Sequence, residues 1–342
     1  MKRRILVLFA MMAVLAAAAC GGDDDDGEQS SNPDGTGKPA ELTQVTVGYI
    51  PFLIDAPFFV GIEKGYFADE GLELKLERIA GGADMLLQTA AGNFDIGSGG
   101  IGVSLFNAAG AAIKSGKEVP FEVVAPLHHE KAPVATPLVV SKERYDSGEL
   151  TRVSDLKGKK VSINAPGASI EYWLYRALKA GGLKYTDVTV VTVSFAEVSA
   201  ALKNKSIDGA MLGEPFTTLG EDQGLVRVLS EDFVNGDQPT GVYWNRAWAK
   251  KNPELAAGFL RAYLKAVADL ENGGWQDPAT LAILEKYTQV PADVIKRAAR
   301  PYNDPQGKLN LEGFRDQERF FRGLGLLTYD GELDFSLFMK TK

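Results

Sequence analysis

Chemistry has few places to reside in this chain. Histidine occurs only at His128 and His129 and cysteine only at Cys20, so a Cys/His metal cluster or a His-dependent triad is hard to build, and a disulfide within the chain is impossible. What remains are four loops, Ile50–Ala56, Gly97–Gly100, Asn164–Ser169 and Gly213–Phe216. The small residues Gly97, Gly99, Pro166, Gly167 and Ala168 let backbone approach a ligand, and Ser98 and Ser169 add hydroxyls beside expected helix N-termini. Unpaired N–H groups and the helix dipole there favour an anionic or polar small molecule. Taken singly, each loop is a turn with an N-cap. Two carboxylates, Asp55 and Glu214, would favour a ligand that also carries an amine or several N–H donors, although Asp55 can instead cap the helix begun at Pro57. No Arg or Lys lies in the four loops, so a charged anion would rely on backbone amides and hydroxyls. Phe52, Phe58, Tyr172 and Trp173 stand near helix starts, with core packing expected for Phe58 and Trp173. The adjacent histidines fall near the expected crossing between the lobes and read as a surface pair, with a pH-sensing or ligand role as the alternative.

Alternating strands and helices must position these loops. Strands are expected over Val45–Tyr49, Leu72–Leu76, Phe94–Gly97 and Phe121–Ala125, with helices from Pro57 to about Asp69, over Ala83–Ala91, and over Ile101–Lys114 after Ser98-Gly99-Gly100. A second region repeats the pattern: strands Leu138–Ser141, Val161–Asn164, Val188–Val193, Gly209–Leu212 and Leu225–Leu229, helices Ser169–Ala180 and Ala196–Lys203. The two regions rhyme, since Pro51 and Pro166 follow the opening strands and Asp95 and Asp208 come at nearly the same distance beyond them. The economical reading is two similar α/β lobes with mostly parallel sheets, whose loops at the carboxyl ends of strands line one crevice. Thr240–Trp244 adds a strand, and helices Pro253–Glu271, Pro278–Thr288, Pro291–Arg300 and Gly313–Leu324 follow.

The N-terminal segment has another purpose. Lys2-Arg3-Arg4 precedes the apolar run Ile5–Ala19, too short to span a membrane comfortably, since a helix needs about 20 residues. Residues 1–19 read as a secretory signal, and Cys20 resembles the lipidated cysteine of bacterial lipoproteins. The acidic, apolar-poor stretch that follows, within 20–43, reads as a solvated tether from a lipid anchor on the extracytoplasmic face of the membrane. A net charge of −8 without a basic stripe argues against nucleic acid as a partner.

The segments VTVGYIPFLIDAPFFVGIEKGYFADEGLELKL, AAGNFDIGSGG, DLKGKKVSINAPGAS, SIDGAMLGEPF and KNPELAAGFLRAYLKA resemble, in order and spacing, the periplasmic solute-binding proteins of ABC importers that handle nitrate, sulfonates, taurine and thiamine-precursor pyrimidines. The likeness covers residues 44–290. It implies a two-lobed, type II-like periplasmic-binding-protein fold: one lobe from 44–130 plus 240–342, another from 136–236, and hinge crossings at 131–135 and 237–239. It further implies a monomeric binding protein without cofactor or metal. Such a protein makes no bonds, closes on its ligand and docks on a membrane permease with a cytoplasmic ATPase. Carried onto this chain, the ligand contacts come from Phe52, Asp55, Gly97, Ser98, Gly99, Pro166, Gly167, Ala168, Ser169 and Glu214, with Tyr243 or Trp244. The family suggests sulfonate or nitrate, whereas Asp55 and Glu214 suit taurine or an aminopyrimidine. Two other outcomes share the fold: a pyrimidine-synthase-like enzyme, whose Cys-rich motif is missing here, and a sensor lipoprotein that has lost transport.

Overall fold

The computed structural model describes residues 41–79, 82–234 and 236–340. The signal, Cys20 and the acidic stretch after it lie outside the described residues, apart from the last three positions of the tether. Among the described residues ten strands occur: β1 (Thr43–Tyr49), β2 (Leu72–Arg78), β3 (Ile96–Gly100), β4 (Phe121–His128), β5 (Leu138–Ser141), β6 (Lys160–Ile163), β7 (Thr189–Thr192), β8 (Gly209–Met211), β9 (Val226–Ser230) and β10 (Thr240–Asn245). They build two five-stranded sheets, ordered β2-β1-β3-β10-β4 and β7-β6-β8-β5-β9.

The two sheets are built alike. In each, one strand runs against both its neighbours, β10 between β3 and β4 and β5 between β8 and β9. That strand is the one the chain lays down on arriving from the other sheet. It crosses between His128 and Leu138 and returns between Ser230 and Thr240. Both sheets are therefore mixed, because a strand entering from another sheet is not bound to the helical crossover that keeps neighbours parallel. The aspartates of the sequence rhyme hold matching places. Asp95 accepts the Thr46 N–H of β1 at 2.8 Å, and Asp208 accepts the Lys160 N–H of β6 at 2.8 Å.

Two helix expectations change. The helix from Pro57 breaks at Gly65, whose φ of 74° lies in the left-handed region, leaving Ala56–Glu63 and Tyr66–Asp69. Ser98-Gly99-Gly100 does not open a helix. β3 runs to Gly100, and the helix starts only at Val103 after an extended Gly102. Among the described residues no helix is long and apolar enough to cross a membrane.

The C-terminal helices close the core. Helix Pro253–Glu271 packs its apolar stripe on Ala56–Glu63, with Phe58 5.5 Å from Tyr263, ring centre to ring centre. Helix Leu311–Gly323 touches both halves: Phe321 meets Phe106 beside the first sheet, and Phe320 stacks on Tyr175 of helix Ser169–Ala180 at 4.8 Å. Tyr172 packs on the same Phe320.

Candidate functional site

A cavity of ≈ 260 Å³ lies between the two sheets, where the carboxyl ends of β1, β3, β4, β6 and β8 meet. Its walls are mostly apolar. Phe52, Leu53 and Ile54 come from the loop after β1, and Ile170, Trp173 and Phe195 come from the facing lobe. Gly99, Pro166, Gly167, Ala168, Ser169 and Glu214 also border it. No Arg or Lys appears among its described lining residues, and the ionisable groups there are His128 and Glu214.

The mouth is bridged by backbone. Gly102 and Ala168 form an antiparallel bridge, and the Val103 N–H donates to the Gly167 carbonyl at 2.8 Å. Gly167 supports this turn at a φ of 74°, and a Cβ on Gly102 would fall 2.4 Å from the Gly167 carbonyl oxygen. The Ser169 hydroxyl, 4% exposed, does not cap its own helix. It sits between the carbonyls of Ile101 and Pro239, the latter at 2.6 Å. Its single proton is thereby spent on the opposite side, and its oxygen stays an acceptor.

On the far side, Glu214 accepts from the Thr218 N–H and hydroxyl at 3.1 and 3.0 Å and from the Ala299 N–H at 3.2 Å. Burial pushes its carboxyl above the usual range, against the pull of those bonds. Nearby, Arg297 makes a two-pronged pair with Asp222 at 2.8 Å on each arm. Among the described residues no group of three or more His, Cys, Asp or Glu is placed to hold a metal ion.

Of the residues expected at the ligand, Asp55, Gly97, Ser98, Tyr243 and Trp244 do not line the cavity, and Tyr243 is fully buried. Asp55 is fully buried: the short turn Leu53–Asp55 rotates its carboxylate inward, where it accepts from the Ser98 hydroxyl at 2.7 Å and the Ile50 N–H at 3.2 Å. Desolvation raises its pKa to about 7 against those two bonds. Ser98 is fully buried as its partner. Gly97 is a packing position, since a Cβ there would lie 2.4 Å from Thr89 Oγ1 and 2.7 Å from the Tyr243 ring. Trp244 fails for a topological reason. β10 runs antiparallel, so Trp244 stands opposite Ile96 and Glu122, at the ends of β3 and β4 remote from the cavity, and its indole N–H donates to Glu122 at 2.9 Å.

The same reversal brings Thr240, at the start of β10, to the cavity. Thr240 was not foreseen, and for His128 a ligand role stands only as the alternative to a surface pair. Far from forming a surface pair, His128 and His129 are 4% and 7% exposed. β4 continues to His128 instead of stopping at Ala125, so His128 occupies the carboxyl end of a strand and lines the cavity. That rule would have found it had the strand been drawn at full length. His129 faces Tyr302, and burial lowers its pKa to about 4. Trp173, expected in the core, borders the cavity edge-on to His128, ring centres 6.3 Å apart.

Comparison with known proteins adds three findings. Residues 38–282 match the model of the NMT1-like family. A riboflavin-binding protein, RibY, from Chloroflexus aurantiacus is 29% identical over 232 residues, and a putative aliphatic sulfonates-binding protein from Escherichia coli is 31% identical over 215 residues. These alignments cover 67% and 63% of this chain and span 62% of each relative's length. The crystal structure of the periplasmic aliphatic sulphonate binding protein SsuA from Escherichia coli superposes with a TM-score of 0.70 at 22% identity, covering 87% of this chain and 92% of that one. The overall architecture is thus the periplasmic-binding-protein fold.

Proposed function

The chain belongs to the NMT1-like family, and we propose that it is the extracytoplasmic solute-binding component of an ABC importer whose ligand is an uncharged, planar heterocycle. The observation that carries the ligand class is the cavity lining: aromatic and aliphatic side chains from both lobes, no Arg or Lys among its described residues, and a volume of ≈ 260 Å³. That volume equals roughly nine waters at liquid density, far more than nitrate or bicarbonate fills. A small oxyanion would find backbone N–H groups at helix starts but no cationic side chain among the described lining residues to balance its lost hydration. Phe52, Trp173 and Phe195 offer ring faces and edges to a flat ligand. A relative named for riboflavin binding supports the same class. The aminopyrimidine alternative falls within this class, and a relative named for aliphatic sulfonates supports the sulfonate expectation beside it.

In this reading the chain makes and breaks no bonds. Contacts from both lobes favour the closed arrangement by differential affinity, and the closed monomer delivers its ligand to a permease and ATPase. Cys20 carries the lipid that holds it at the membrane, a role tested by loss of globomycin-sensitive processing in Cys20→Ser. The ligand class is tested by thermal shift and Trp173 quenching with riboflavin, lumichrome and an aminopyrimidine against nitrate, bicarbonate, taurine and an alkanesulfonate. At a hundredfold excess over Kd a binder stabilises by about 2.7 kcal/mol. Stabilisation confined to the anions refutes the heterocycle.

A further inference from the structure

The geometry points to a polarity device at the inner end of this cavity: Glu130 and His128 hold the Thr240 hydroxyl as a hydrogen-bond acceptor, so that the cavity selects a ligand bearing an N–H. The inference rests on the heterocycle reading above and names which face of the heterocycle is recognised. Its observations are three buried side chains in a row. Thr240 Oγ1 lies 2.7 Å from His128 Nδ1, and His128 Nε2 lies 3.5 Å from Glu130 Oε1. The other Glu130 oxygen accepts the Ala135 N–H at 2.7 Å. Glu130 is 1% exposed, and its Oε1 has no hydrogen-bond partner of its own among the described residues.

The direction of the chain follows from where the imidazole carries its proton. A buried carboxylate oxygen only accepts and is costly to leave unpaired. The ring nitrogen nearer to it is Nε2, at 3.5 Å, and we place one imidazole proton there and none on Nδ1. Nδ1 is then an acceptor, and the only proton Thr240 can place against it at 2.7 Å is its own hydroxyl hydrogen. With that hydrogen spent, the Thr240 oxygen presents lone pairs to the cavity. Ser169 has the same polarity, its proton given to carbonyls across the mouth. The donors left on that wall are backbone N–H groups at the start of helix Ser169–Ala180, which suit a ring carbonyl or ring nitrogen. The complementary ligand edge is a lactam, an imide or an amino-substituted azine, with N–H directed at Thr240.

Glu130 is well anchored for this work. Its backbone joins the two crossings, accepting from the Gly236 N–H at 2.8 Å and donating to the Asp237 carbonyl at 2.9 Å. Asp237 in turn pairs with Arg176 at 3.1 Å, so Arg176 is engaged elsewhere. His128 and Glu130 are positioning residues here, and Thr240 is the group that touches the ligand.

Glu130→Gln makes the sharpest test. The Ala135 N–H holds the amide oxygen, which turns the NH2 group toward Nε2. The imidazole proton must then move to Nδ1 and donate to Thr240, freeing that hydroxyl to donate into the cavity. The tautomer is read without any ligand, from the ¹⁵N shifts of labelled His128 at pH 7.5. The wild type should show the Nε2–H form and Glu130→Gln the Nδ1–H form. Binding is read with riboflavin against N3-methylriboflavin, and with an aminopyrimidine against its dimethylamino analogue. Wild type should prefer the N–H member of each pair roughly tenfold, the value of one hydrogen bond at a buried site. Thr240→Val and Glu130→Gln should abolish that preference, and Thr240→Ser should keep it. An Nδ1–H or doubly protonated His128 in the wild type overturns the proposal, as does a preference that survives Thr240→Val. A wild-type chain that binds no member of either pair refutes the heterocycle reading and the ligand half of this proposal, while the imidazole spectra still decide the Thr240 half.

Discussion

Replacing Gly102 by Ala isolates lobe closure from lobe stability. The new Cβ would lie 2.4 Å from the Gly167 carbonyl oxygen and 3.1 Å from the Ala168 Cα, and both belong to the facing lobe. Nothing in its own lobe is strained, because Gly102 has φ near −179°, extended backbone that alanine adopts freely. The obstacle is backbone, so the lobes themselves must separate by nearly an ångström. That separation breaks the 2.8 Å bond from the Val103 N–H to the Gly167 carbonyl and draws Ser169 away from Ile101 and Pro239. Two such bonds at about 1 kcal/mol each remove about 2 kcal/mol from closure. Apparent affinity scales with the closed fraction, so Kd should rise up to ~30-fold. Titration calorimetry with whichever probe binds the wild type gives that ratio, and small-angle scattering of the unliganded chain should show a larger radius of gyration. Urea unfolding should be nearly unchanged. Wild-type affinity together with wild-type scattering would refute the account, for it would mean that the Gly102–Ala168 bridge is not what meets at the mouth.

Three further outcomes follow from the same geometry. Asp55 has a folded pKa of about 7 against 3.8, so the stability it contributes is fully present below 3.8 and lost as pH rises through about 7; Asp55→Asn never ionises and should gain on the wild type between pH 4 and 8, by up to about 4 kcal/mol, and a pH-independent difference in urea midpoints would sink this. Gly97→Ala should destabilise by about 1–3 kcal/mol, because Thr89 Oγ1 is held by the Met85 carbonyl and cannot retreat from the added methyl; an unchanged urea midpoint would contradict it. Arg297→Ala removes the Arg297–Asp222 pair between the lobes, yet those side chains are 48% and 43% exposed and should matter by less than about 1 kcal/mol; a tenfold loss of affinity by calorimetry would show that this pair, and not the mouth, holds the lobes together.

The sequence was legible where one residue answers to one local demand. Asp95 and Asp208 could be paired by eye because each does the same job, tying a strand start to its neighbour. The loops after β1 and β6 were found because strand, turn and helix follow one another directly. Where the crevice was misread, the deciding contact was distant in sequence. Asp55 looked available because its partner, Ser98, lies beyond a strand and three helices. Trp244 looked suitable because nothing local reveals that β10 runs backwards between β3 and β4. That reversal is also what makes the cavity polar at its inner end. An antiparallel β10 puts Thr240 opposite His128, the end of a forward strand. The crossing that leads away from His128 places Glu130 beneath it, and the crossing that leads into Thr240 is tied to Glu130 through Gly236 and Asp237. The polar row therefore depends on the exchange of one strand between the lobes, and any hinge rotation about those crossings acts on the groups that choose the ligand.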